Sequence, residues 1–206
     1  MSAGKTRKLL ATALVVGVVG LVVGTQTWSA FSATTSSSGN SLAAGTVAIT
    51  DNDSGAALLT LTSAKPGDFN EGCITVTYSG SLAATVKLYG AATFTSGSSL
   101  APYIDLVITR GSFASAPAYD SCTGFTADVT NYTGAGAGII YSGTLSSFTS
   151  SYTNFATGLT DPTSGSPEVW TTSEAHVYKI RATLQNNNAA QGLNVTEAFS
   201  WEAQNN

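Results

Sequence analysis

The chain has 206 residues, room for one domain, and is 43% hydrophobic but only 10% charged, where about a quarter is usual. Ser, Thr, Gly, Ala and Asn stand in for the missing charge, the composition of a β-rich extracellular surface. Three of the eight basic residues lie in the first eight positions, so loss of an N-terminal leader leaves five basic against twelve acidic residues, a net charge of −7. That surface excludes nucleic acid and anionic lipid as partners.

Lys5, Arg7 and Lys8 form a basic start, and residues 9–24 an almost unbroken apolar run, the plan of a secretory signal. As a helix this run reaches about 24 Å, short of the ~30 Å hydrocarbon core. Thr27 and Ser29 suit the positions three and one before a cut, which places cleavage between Ser29 and Ala30. The alternative is an uncleaved anchor, which would be the chain's membrane contact. The chain divides into a signal peptide (1–29), a flexible Ser/Thr-rich N-terminal segment (30–41) and a single domain (42–206).

Period-two runs follow one another through the rest. Residues 45–50 read as a strand with Val47 and Ile49 on one face. Asp51-Asn-Asp-Ser-Gly55 is a turn, and residues 57–61 a second short strand. Residues 73–78 and 84–89, joined at Ser79-Gly-Ser81, read as a hairpin. Further strands fall at 103–109, 125–129 and 139–145. Residues 146–166 are poorly patterned, with Phe148, Tyr152 and Phe155 suited to a short helix or irregular cover. Two strong strands close the chain. In residues 175–184, His176, Tyr178, Ile180, Ala182 and Leu184 share one face; in residues 195–201, Phe199 and Trp201 do. Roughly nine short strands without a long amphipathic helix predict an all-β antiparallel sandwich.

Cys73 and Cys122 are the only cysteines. An oxidising destination favours their pairing, worth about 4 kcal/mol by chain entropy; two buried thiols are the alternative. Two cysteines and one histidine do not make a zinc site, and no cofactor is expected. Asp51 and Asp53 sit as in the opening of a calcium loop, but no acid follows at the closing position, and an Asx-rich turn accounts for them. His176 is the sole histidine, with no second one for a zincin pair and no Gly-x-Ser-x-Gly elsewhere. The expectation is a protein without catalytic residues. Asn52, Asn131 and Asn194 head glycosylation triplets of a kind common by chance in such a composition.

The leader end Gly24-Thr-Gln-Thr-Trp28-Ser-Ala-Phe31-Ser, then Leu42-Ala-Ala-Gly45-Thr46-Val47 after a polar spacer, resembles the TasA/camelysin family. Pro66-Gly67-Asp68, the run from Thr75 to Ser81, residues 83–88 and the closing Phe199-Ser-Trp201-Glu-Ala-Gln are similar to segments of that family too. Ala33 stands where the family has an acidic residue, and Leu42 where it has an aromatic one. The resemblance implies a jelly roll, export through a dedicated signal peptidase, and assembly into secreted or cell-surface fibres of biofilm-matrix type. Self-association would then run through a donor strand starting at Ala30, Phe31, Ser32 and Ala33, given to the next subunit with Phe31 as anchor. Other matrix proteins are further possible partners. The competing functions are an exported hydrolase or peptidase and a surface adhesin module.

Overall fold

The structure, a computed structural model, describes residues 32–34, 46–61, 64–93, 99–115, 119–163 and 166–205. The expected leader, its cut at Ser29 and Ala30, and Phe31 lie outside the described residues. The short alternating runs each have one apolar face to bury, and they do so by pairing into two antiparallel sheets packed as a sandwich. The strands are β1 (Ser32–Thr34), β2 (Ile49–Asp51), β3 (Phe69–Tyr78), β4 (Ala84–Thr93), β5 (Ile104–Phe113), β6 (Phe125–Ala127) and β7 (Ile139–Thr144). They continue as β8 (Leu159–Thr160), β9 (Pro162–Thr163), β10 (Ser166–Pro167), β11 (Val169–Trp170), β12 (Ala175–Leu184) and β13 (Thr196–Asn205).

One sheet has six strands in the order β2-β3-β12-β5-β6, with β7 also on β5. The other has five, in the order β1-β13-β4-β11, with β8 also on β4. Strands β9 and β10 form a separate two-stranded ribbon. Alternate residues of the long strands fill the space between the sheets. Ile74, Val76 and Tyr78 of β3, Leu106 and Ile108 of β5, and Tyr178 and Ile180 of β12 share one core with Val86 and Leu88 of β4 and Trp201 and Ala203 of β13. Each large aliphatic or aromatic side chain so buried contributes about 1.5–3 kcal/mol.

Among the described residues the single α-helix, α1 (Leu145–Ser151), starts at Thr144, whose Oγ1 accepts from Ser147 N at 3.1 Å. It lays Phe148 into the core against the rings of Tyr141, Tyr152 and Phe199. This is the cover expected between residues 146 and 166. Among the described residues no helix is long and apolar enough to cross a membrane.

Cys73 and Cys122 are bonded, with Cα atoms 5.2 Å apart. The bridge fastens the connection between β5 and β6 to β3, where Asp120 and Cys73 also exchange backbone hydrogen bonds of 3.2 and 3.4 Å. Three cations lie on rings: Lys87 over Phe155, Lys179 over Phe125 and Arg181 over Phe69, at 4.9, 5.2 and 3.7 Å from the centroids.

Several expectations need correction. Residues 73–78 and 84–89 do not form a hairpin: β3 pairs with β2 and β12, whereas β4 pairs with β13, β8 and β11. The link between them steps from one sheet to the other, and its Ser79 and Ser81 amides donate to Ala48 and Thr46 carbonyls at 2.8 Å. A strand beside its partner and a strand facing it across a core have the same period of two, so alternation cannot separate the two cases. Residues 57–61 are not a strand; they lie in the connection between β2 and β3 without joining a ladder. The first strand is shorter than residues 45–50, and β6 stops at Ala127, leaving Val129 93% exposed.

Candidate functional site

Two features exceed what a plain sandwich needs. The first is a group of charged side chains at the core's margin. Arg110 follows Ile104, Leu106 and Ile108 at the same parity on β5, so the pleat directs it inward, and it is only 7% exposed. A guanidinium so placed has to be met by carboxylates, and they come from other elements. Asp161, between β8 and β9, lies with Oδ1 3.1 Å from Arg110 Nε, an ion pair whose angle falls short of a hydrogen bond. Glu168, just before β11, pairs with Nη2. Asp128, after β6, accepts from Nη1 at 2.9 Å, and Tyr132 meets both Nη1 and Asp128 at 2.9 and 2.8 Å.

Asp161 is the hub on the opposite side. Its Oδ1 accepts from Tyr178 Oη at 2.9 Å and its Oδ2 from Trp170 Nε1 at 3.0 Å. Trp170 and Tyr178 are almost wholly buried. His176 stands beside them on β12, with Nε2 3.0 Å from Glu174 Oε1. Arg110 Nη2 is 2.8 Å from His176 Nδ1 and 3.0 Å from Nε2. Near-equal distances put the guanidinium over the ring, not on the lone pair of either nitrogen. Glu174 is fixed by the turn before β12: its Oε2 accepts from Thr171 N at 2.8 Å, and Ser173 takes a left-handed φ of 70°.

These surroundings shift the titrations. Burial opposes the Arg110 charge, but Asp161 and Glu168 outweigh it and hold the guanidinium above its ordinary range. Burial pushes Asp161 up to about 7, against the pull of Arg110 and of the Tyr178 and Trp170 donors. Glu168 is raised, chiefly by burial. His176 is lowered, by burial first and then by Arg110.

One oxygen each of Asp161 and Glu168 and a ring nitrogen of His176 lie within 4.8 Å of one another, near enough to share a divalent cation. The guanidinium already stands among them. A metal ion at its usual ~2.0–2.2 Å from such ligands would have to displace it, so the group reads as carboxylates around an arginine. The space between Asp161, Tyr178 and the core side chains Val86, Leu88 and Trp201 is too small for a water molecule.

The second feature is the outer edge of β13. Its inner edge pairs with β4 along all ten residues. On the outer side β1 pairs in antiparallel register, Ser32 with Gln204, Ala33 with Ala203 and Thr34 with Glu202. Among the described residues, 196–201 carry no strand on that side. Two of the four donor-strand residues expected from sequence, Ser32 and Ala33, are therefore at this edge of their own chain, while Ala30 and Phe31 lie outside the described residues. An edge of this length offers backbone groups to another extended segment.

The remaining candidates fall into place separately. Asp51 and Asp53 turn toward their own loop, with Gly55 N donating to Asp53 Oδ1 at 2.7 Å and Asp53 N to Asp51 Oδ1 at 3.3 Å, while Asn52 Oδ1 accepts from Thr75 N. Asn131 Oδ1 accepts from Gly134 N and Gly136 N. Sequence reasoning singled out His176 but missed Arg110, Asp161 and Glu168. The available signal was a lone arginine at a core-facing position of an apolar strand. No protein-family model matches the chain, and no curated protein matches its sequence.

Proposed function

We propose that the chain is a secreted structural subunit of extracellular fibres, a relative of the TasA/camelysin family, that assembles by giving its mature N-terminal segment as a strand to the next subunit. The observation that carries this reading is the seat of β1 on the outer edge of β13. There the N-terminal segment already acts as an added strand, and the same edge of a second copy would accept it by the same backbone bonds. The contact joins unlike surfaces and does not close on itself, so it propagates. The 11 residues 35–45 span at most about 40 Å, enough to reach a neighbouring sandwich. Export agrees with the Cys73–Cys122 bridge, which suits an oxidising extracellular or periplasmic location. A non-catalytic role agrees with charged groups around Arg110 that are engaged with one another.

Electron microscopy of purified protein starting at Ala30, beside a form lacking residues 30–38, tests the reading. Filaments are expected from the first and a folded monomer from the second. Unimpaired filaments from the shortened form, or none from the complete one, would overturn it.

A further inference from the structure

The inner faces of the sandwich lose bulk toward one end. Along β4 the inward positions run Val86, Leu88, Gly90 and Ala92, and on β12 Ala182 stands between Ile180 and Leu184. Small residues there leave the space between the sheets unfilled, and the described residues around it line a cavity of about 310 Å³. Its inner wall is buried core of the six-stranded sheet, Ile104, Leu106 and Ala182. Its outer wall includes Leu58, Leu59 and Leu61 of the connection between β2 and β3. Thr60 and Thr196 are exposed at its rim, so the cavity is reached from solvent on that side. Among the described residues the charged group in the wall is Glu197, and no basic side chain borders the cavity. Glu197 lies across Gly90, where a Cβ would collide with its Oε1, and both carboxylate oxygens are buried.

An apolar void forgoes the contacts its walls would otherwise make, and water finds too few partners on such walls to be held there. Small-molecule sites have this form, an apolar hollow of about 300–1,000 Å³ with few polar groups. The volume is about twice the ~150 Å³ of an engineered cavity that takes benzene, which suits a guest of about ten carbons. A buried carboxylate with no cation beside the cavity opposes an anionic guest. Glu197 is itself already engaged, so it does not call for a cationic one. We propose that this cavity is a binding site for a small neutral hydrocarbon molecule, an alkyl chain held between the leucines of residues 57–61 and the core of the six-stranded sheet. Such a guest gives the leucines of a segment outside both sheets an apolar surface to cover. The site stands apart from strand addition and does not depend on it.

Leucine-methyl NMR of the purified protein during titration with 1-octanol tests the proposal. Saturable shifts are expected at Leu58, Leu59, Leu61 and Leu106. Octanoate should bind at least about tenfold more weakly, because its carboxylate is brought toward that of Glu197. Ala182→Leu fills the cavity from β12, and Leu59→Trp fills it from a position outside every ladder. Each should abolish the saturable response to octanol without lowering the unfolding midpoint; if Ala182→Leu does not fold, Leu59→Trp decides alone. No saturable shift at these leucines in the unaltered protein would overturn the site, as would octanol binding that survives in the folded variants. Octanoate binding as tight as that of octanol would overturn the assignment to neutral molecules. A response lost as protein concentration is raised would show a second copy filling the cavity, and would overturn the small-molecule reading.

Discussion

The group around Arg110 and the outer edge of β13 share one sandwich and are built in opposite ways. At Arg110, donors and acceptors from six separate stretches converge until Asp161 alone faces Arg110, Trp170 and Tyr178. At β13, a ten-residue strand has a described outer neighbour over only three residues, and a cavity lies behind its first half. The first region leaves nothing to spare: taking away one partner strands a charge out of reach of water. The second has backbone groups on its outer side that water or another extended segment can use. Rigidity and availability are therefore placed in different parts of the fold.

The comparison breaks first if Arg110 proves dispensable. Arg110→Met leaves Asp161 buried without its cation and should lower unfolding free energy by about 3–5 kcal/mol, measured by denaturant titration. A loss below about 1 kcal/mol would put the group on a par with surface ion pairs. Replacing both Cys73 and Cys122 by Ser should cost about 2–4 kcal/mol, with faster exchange over residues 119–124 and little change at β13. The pH dependence sharpens the picture further. Asp161, raised to about 7 from 3.8, binds a proton more readily in the fold than in the unfolded chain, so the stability this adds is complete below about pH 4 and is lost as pH rises through 7. His176, lowered from 6.5, contributes the other way: stability present above 6.5 falls away as pH drops through its depressed value. His176→Gln should therefore gain more stability than the unaltered protein on going from pH 8 to pH 5. An identical pH slope in the two proteins would show that His176 does not titrate against the fold. The smallest effect belongs to the edge: Ala33→Pro in β1 should change stability by less than about 1 kcal/mol, since it touches only a three-residue edge ladder.

Much of this fold can be read from residue patterns because burial on one face writes a period of two into the chain. Residues 175–184 have the expected boundaries, and His176, Tyr178 and Ile180 face inward as their spacing predicts. The bonded cysteines are the pair expected from their being the only two in the chain. The pattern fails where pairing has to be known as well as facing. Ser79-Gly-Ser81 has the composition of a tight turn, yet it is part of a crossing between sheets, because Thr46 and Ala48 offer those serines carbonyl partners that no local signal announces. The charged group is harder still. Arg110 and Glu174 are 64 positions apart, and nothing local ties Asp161 to Tyr178. Only the parity of Arg110 with Leu106 and Ile108 betrays it, one residue beyond the end expected for that strand. Residues 57–61 misled for the opposite reason: their alternation is real, but the ladder it would join is absent from the described arrangement.

The aromatic seats of the surface cations have a consequence for how two copies meet. Lys87, Lys179 and Arg181 lie over phenylalanine rings, so few positive charges project toward an approaching molecule, while the chain as a whole is at −4. Like-charged copies repel over the Debye length, about 30 Å at 0.01 M salt and 8 Å at 0.15 M. Encounter between subunits is thus governed by ionic strength before any backbone bond can form. Dilute buffer holds like-charged copies apart, and physiological salt shortens the range of that repulsion.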